Sequence, residues 1–308
     1  MTTIHELKER IRSVQSSQKI TGAMRMIATS RLRKAEQDLL QARACRQQLL
    51  EVHLRLRLSG LLPGSPWLEE RRAERVALVV FAAEEGMCGA FNINVGKKWR
   101  EVVDDFHTRR ISDVEVFPVG KKILAELSRT KGAHPSELPV PWDAADVYAS
   151  SRRLADALME DFRAGRYDRV EVLYTSYKSM GSQTVRLRCL LPFMPDPETS
   201  GLPGSGNAPS SEPLSLPHPE AAPGRPADYI IEPGAEEVAA TLYPMIIRAA
   251  LFEMCLSGKA SEEASRILAM QAANDNAREL IDTLQLEYNK LRQQSITEEL
   301  SDIFSLPL

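Results

Sequence analysis

The chain has 308 residues, 43% of them hydrophobic, with a formal net charge of −3; this allows one large or two ordinary domains with a real core and excludes a generic polyanion binder. Its four cysteines lie far apart with no C-x-x-C pair, which suits a reducing compartment. No run approaches the roughly 18 consecutive apolar residues of a membrane span, and the N-terminus opens on a charged helix with no signal or transit-like leader.

The first element is a long helix. Thr3 and Glu6 have capping-box spacing. Steps of three and four residues from Ile4 then give Leu7, Ile11, Val14, Gln18, Thr21, Arg25, Ala28, Leu32, Ala35, Leu39, Ala42, Arg46 and Leu49. Gly60, Pro63, Gly64 and Pro66 stop it after about Leu58. Such a helix spans roughly 80 Å at about 1.5 Å per residue, more than a domain of this size can enclose. Residues 1–60 carry 12 Lys or Arg against 5 Asp or Glu, so this helix is basic in an otherwise near-neutral chain.

The middle of the chain reads differently. Arg75 to Ala82 is a short β-branched run of the kind buried on both faces of a sheet. A turn at Gly86 to Gly89 precedes a helix from about Asn92 to Phe106. Val114 to Val119 is a second strand, and Lys121 to Leu127 a short helix. Pro135, Pro139 and Pro141 mark a loop. Ala144 to Arg163 is helical with Gly165 as its C-cap, and Arg169 to Thr175 and Thr184 to Leu191 are strands. This order predicts a compact α/β domain over residues 61–191. Ten of the chain's 19 prolines then fall between Pro192 and Pro226, which predicts a flexible loop over 192–227.

Residues 228–308 return to helix. A segment from near Ala235 meets Ser257-Gly258, which breaks or weakens it. From Lys259 to Ser305 there is neither Pro nor Gly, and Ile267, Met270, Asn274, Ala277, Ile281, Leu284, Tyr288, Leu291 and Ser295 form a second seam. A seam with Asn and Ser in it makes a poor permanent zipper, and the buried Asn wants a hydrogen-bond partner. The only other long seam in the chain is the N-terminal one, so the terminal helices are expected to pair as a shaft.

Catalytic chemistry is hard to find. Glu84 to Asn92 follows a strand and precedes a helix, but its glycines make neither G-x-G-x-x-G nor a Walker A loop, and two acids beside it would repel phosphate. A structural turn is the preferred reading. The five histidines show no ligand spacing. Cys88 reads as a small buried hydrophobe in preference to a reactive thiol, and no nucleophile elbow is present. No cofactor, metal site or nucleic-acid partner is expected.

Three separated motifs, however, resemble the gamma subunit of F-type ATP synthases across nearly the whole chain. The first is Val14-Gln15, Lys19-Ile20-Thr21, Ala23-Met24, Met26 and Ser30 to Lys34-Ala35. The second is Gly86-Met87-Cys88-Gly89-Ala90-Phe91-Asn92-Ile93-Asn94. The third is Met270-Gln271-Ala272-Ala273-Asn274-Asp275-Asn276 followed by Glu287 to Thr297. Two positions depart from the family pattern: Glu85 stands where Arg or Lys is common, and Gly22 where Lys is common.

The resemblance implies an α+β/α/β fold, with a long antiparallel coiled coil of the terminal helices and an inserted Rossmann-like domain. It implies a central shaft that catalyses nothing itself, turned by a membrane c ring inside a ring of alpha and beta subunits, with an epsilon subunit beside it. Met24, with Arg25 beside it, matches the coupling contact to the beta subunit. Arg292, Gln293 and Thr297 match C-terminal helix positions that interact there or with the catalytic ring. Tyr229 and Glu232 resemble residues of the foot that meet the c ring and epsilon. The location implied is peripheral, on the cytoplasmic face of a bacterial plasma membrane, without insertion into it. The rival readings are an α/β nucleotide-binding protein with a helical stalk and a non-catalytic coiled-coil scaffold.

Overall fold

The computed structural model describes residues 3–58, 60–111, 113–123, 134–136, 143–193 and 231–305. Two helices dominate it: α1 (Ile4–Leu58, 55 residues) and, at the other end of the chain, α4 (Ala235–Ser305, 71 residues). Between them lie β1 (Arg75–Phe81), α2 (Phe91–Thr108), β2 (Asp113–Val119), β3 (His134–Pro135), α3 (Val147–Arg163), β4 (Arg169–Ser179) and β5 (Ser182–Leu191). The strands make one sheet in the order β3-β2-β1-β4-β5, parallel except for the antiparallel pair β4–β5. This is the Rossmann-like insert expected between terminal helices.

The sheet is buried on both faces, which is why β1 reads as an unbroken apolar run. Val76, Leu78 and Val80 face α2, where they pack with Val95, Trp99 and Val103. Ala77, Val79 and Phe81 face the other way, toward α3 and α4, among Leu158, Phe162, Ile247 and Leu251. Helix α3 starts later than its pattern suggests, because Asp146 caps it by accepting from the Ala149 N–H at 3.0 Å. At its end Ala164 is the cap and Gly165 lies one residue beyond, at φ 75. The Gly165 and Arg166 N–H groups donate to Phe162 and Asp161, the paired bonds that close a helix on a left-handed residue.

One expectation is corrected, and an alternative left open at Gly258 is decided. Pro135 lies in the two-residue edge strand β3 rather than in a loop; an edge tolerates a residue that cannot donate. More importantly, α4 is one helix that runs through Pro244 and Gly258. Pro costs about 3 kcal/mol and Gly about 1 kcal/mol in a helix interior. Around them Tyr243, Ile246, Ile247, Leu251 and Met254 are fully buried against the sheet, at about 1.5–3 kcal/mol per large side chain. Burial wins. By length and composition alone α4 would qualify as a membrane span, but these apolar side chains are committed to the core. Of the short helix expected from Lys121, only a single turn at Lys121–Ile123 falls within the described residues. Pro139, Pro141 and most of the proline-rich stretch lie outside them.

The terminal helices pair along the expected seams, and the pairing is antiparallel. Arg25 meets Gln271, Asn274 meets Gln18, and Arg43 and Arg46 meet Glu253, so numbers rise on one helix as they fall on the other. Every seam position of both helices is buried or half-buried. The capping box at the start of α1 forms as drawn, Thr3 N–H to Glu6 at 2.8 Å and Glu6 N–H to Thr3 at 3.2 Å.

The insert is fixed to this pair at β4. Ser257 and Ser261 of α4 both donate to the Thr175 carbonyl, and Ser257 accepts from the Tyr177 N–H at 2.8 Å. Tyr177 also donates its hydroxyl to Glu36, while Arg43 donates to its carbonyl at 2.8 Å.

Three substitutions test this packing. Gly120 has φ +99, and an added Cβ would lie 2.1 Å from the Ala82 carbonyl oxygen. Gly120→Ala should therefore cost at least about 3 kcal/mol in urea denaturation. Gly258→Ala, whose Cβ would meet Phe81 at an ordinary 3.8 Å, should be neutral or stabilising by up to about 1 kcal/mol. His53 is buried in edge contact with Phe193 and Tyr243. Burial, with the Arg57 charge second, pushes its pKa down to about 4. Because the folded value lies below the unfolded one, this contribution is complete above pH about 6.5 and is lost as pH falls toward 4. Denaturation series should show His53→Phe removing an acid-side loss on the order of 3 kcal/mol.

Candidate functional site

The part of the molecule that is not a domain core is the shaft, and its chemistry changes along its length. Next to the insert, Ala28, Leu32, Ala35, Leu39 and Ala42 of α1 pack on Leu256, Ala260, Ala264 and Ile267 of α4. Alternating small and large side chains let the two backbones approach and interdigitate. Beyond Ala28 the α1 seam becomes Arg25, Thr21 and Gln18, and no residue of α1 is fully buried again until Leu7.

Hydrogen bonds replace apolar burial there. Asn274 donates to the Gln18 carbonyl at 3.1 Å, and the Thr21 hydroxyl donates to the same oxygen at 3.0 Å. Gly22 lies opposite, where a Cβ would stand 3.5 Å from the Asn274 amide nitrogen. The half-buried Asn274 thus finds the partner its environment demands. Arg25 donates to the Gln271 side chain, whose amide nitrogen donates to Asp275 at 2.8 and 3.0 Å.

The second motif, Gly86 to Asn94, meets α4 at the shaft's flank, over Ser265, Arg266 and Ala269 just before the third motif begins. Met87 and Gly89 both have positive φ, near 60°, so the turn is tight. Asn92 closes it by accepting from the Ala83 N–H at 3.1 Å and donating to the Cys88 sulfur at 3.3 Å. Gly89 comes close enough to α4 that its Cβ would stand 3.4 Å from that of Ala269. Arg266, 4% exposed, donates to the Gly86 carbonyl and pairs with Glu262 and with Glu263. Burial raises the Glu262 carboxyl above its usual range despite Arg266. Glu85 sits 3.4 Å from Arg31. Cys88 is buried, and burial pushes its thiol up, which makes it a poor nucleophile. The turn therefore docks the domain on the shaft.

The residues singled out from sequence fall at separate levels. Met24 and Arg25 are half-buried on α1 opposite Gln271. Arg292, Gln293 and Thr297 are exposed on α4, with the Thr297 hydroxyl donating to the Gln293 carbonyl at 2.8 Å. The 21 residues from Gln271 to Arg292 put the two groups roughly 30 Å apart along the rod, so they do not touch one another. Glu232 is exposed just before the opposite end of α4, and Tyr229 lies outside the described residues. Sequence reasoning placed Gln271 and Asp275 in the third motif but gave them no role, although their i, i+4 spacing is a known helix pair.

A profile of the ATP synthase family matches residues 3–305. An ATP synthase gamma chain of Bacteroides thetaiotaomicron is 38% identical over 304 residues, covering 98% of each chain. One from Flavobacterium psychrophilum is 34% identical over 305 residues, 98% of this chain and 97% of that one. Among solved structures, a chain of the Euglena gracilis mitochondrial ATP synthase superposes with a TM-score of 0.60 at 19% identity, over 98% of this chain and 92% of its own, which supports the fold. With the shaft, the inserted domain and all three motifs in place, the chain belongs to the family of ATP synthase gamma chains.

Proposed function

We propose that this chain is the non-catalytic central rotor of a proton-translocating ATP synthase. In this reading it couples ion flow through a membrane c ring to successive conformational changes at the beta-subunit sites. The observation that carries it is the bare rod. Among the described residues, hydrogen bonds from the α/β domain to α4 stop at Arg266, yet α4 continues to Ser305, roughly 50–60 Å further.

The rod's surface suits a partner that must slip. Ile20, Met26, Ile27, Leu286 and Ile296 are all about half exposed or more, and apolar attraction has no preferred direction. The basic residues of α1 add an attraction to acidic loops that is screened and reversible. An asymmetric shaft acts by differential contact, each orientation favouring one state of a catalytic subunit over another.

Met24 and Arg25 serve in this scheme as contacts to the beta subunit, and Arg292, Gln293 and Thr297 as contacts to the catalytic ring. Tyr229 and Glu232 belong to the foot, which meets the c ring and epsilon. The shaft then stands on the cytoplasmic face of a bacterial plasma membrane, held by its partners without inserting.

Purified alpha and beta subunits, assayed for ATP hydrolysis with and without the chain, test this. One copy per ring with strongly raised turnover is expected; a chain that neither binds nor changes turnover would overturn the reading. In the full complex, Met24→Ala and Arg292→Ala should each lower proton pumping per ATP hydrolysed by about two- to tenfold, as loss of one contact predicts.

A further inference from the structure

Arg25 occupies a seam position, where a long cationic side chain must lay its stem along the partner helix and find somewhere for its head. The head meets the side-chain oxygen of Gln271. A glutamine amide can present either its oxygen or its nitrogen, and its neighbours decide which. Asp275, one turn further along α4, decides here. Its carboxylate can only accept, and it takes the Gln271 nitrogen at 2.8 and 3.0 Å. Flipping the amide would set oxygen against carboxylate and nitrogen against guanidinium, two unfavourable contacts in place of two good ones. The order carboxylate, amide, guanidinium therefore has one stable sense.

We propose that Gln271 and Asp275 are positioning residues: Asp275 orients the Gln271 amide, which holds the Arg25 guanidinium in the direction from which it engages the catalytic ring. The proposal rests on the reading of Arg25 as a coupling contact. The surroundings make such control useful. The same open groove is lined by Met26, Arg33, Lys34, Met180 and Leu268, so like charges nearby would otherwise push a free guanidinium about. Neither Gln271 nor Asp275 needs to touch the partner. Their effect passes through Arg25, as an outer hydrogen bond aims a ligand held by another residue.

A double-mutant cycle in the complete, membrane-bound complex tests it, reading proton pumping per ATP hydrolysed in inside-out vesicles. Asp275→Asn should lower that ratio by about fivefold, the scale of one hydrogen bond, with the melting temperature of the isolated chain unmoved. In an Arg25→Ala background it should have no further effect. Gln271→Glu combined with Asp275→Asn keeps the net charge and presents a carboxylate to Arg25 directly, so it should restore the ratio. If Arg25→Ala itself changes nothing, the Arg25 reading fails and takes the proposal with it. If Arg25→Ala lowers the ratio while Asp275→Asn does not, or the two losses add, Arg25 keeps its role and the relay is overturned.

Discussion

A pair of helices can bury one stripe on each, and every side chain outside that stripe has to be content in water or against another surface. In this chain the stripe is the controlling constraint. Where α1 and α4 lie beside the sheet, α4 has a second covered face, and Ile246, Ile247 and Leu251 turn toward the strands while Ala260 and Ala264 turn toward α1. Past Arg266 that second support ends. Only the seam remains, and its occupants change from Leu and Ala to Gln18, Thr21, Arg25 and Asn274.

That change redistributes the cohesion of the shaft. The part beside the insert is held by area, which is strong and indifferent to direction. Around Gln18 and Asn274 a few hydrogen bonds with definite geometry take over, before Leu7, Ile281 and Leu284 restore apolar contact further out. A hydrogen-bonded seam contributes less per turn but specifies register, since Asn274 can satisfy its amide at the Gln18 carbonyl only in one alignment. The junction between the two regimes is marked by buried charge. Arg266 is nearly inaccessible and is neutralised from two sides, while the outlying pair Arg31–Glu85 ties α1 to the docking turn. The domain is thus clamped to the rod at the level where apolar burial gives way to polar contacts.

Much of this was legible in the residues. Both seams show in the period-3.5 pattern because the burial they report is one-dimensional, and Thr3-x-x-Glu6 announces its cap without tertiary help. The run from Arg75 signals a strand covered on two faces. At Gly258 local propensity left open a break or a weakening, and the sheet-facing side chains of the same helix decide for continuity there and through Pro244. The strand at His134 was invisible, being two residues long and half proline. Among the positions proposed as functional, Met24 and Arg292 were reached through likeness to a family and not through any pattern in the chain. The spacing of Gln271 and Asp275 was plain to see, but its meaning depends on Arg25 lying opposite, which only the antiparallel register supplies.

The antiparallel arrangement also has a kinetic side. Residues near Leu7 and Leu284 belong to one stripe although nearly the whole chain separates them, so the insert acts as the loop of a very long hairpin. Closing such a loop is entropically costly and slow. On a ribosome adding about 5–20 residues per second, α1 waits roughly ten seconds or more before its partner exists. Throughout that interval Leu32, Leu39 and their neighbours present an apolar stripe with nothing to cover it. The 12 Lys or Arg against 5 Asp or Glu of residues 1–60 give that waiting helix a net positive charge, and like charge opposes association of one such stripe with another.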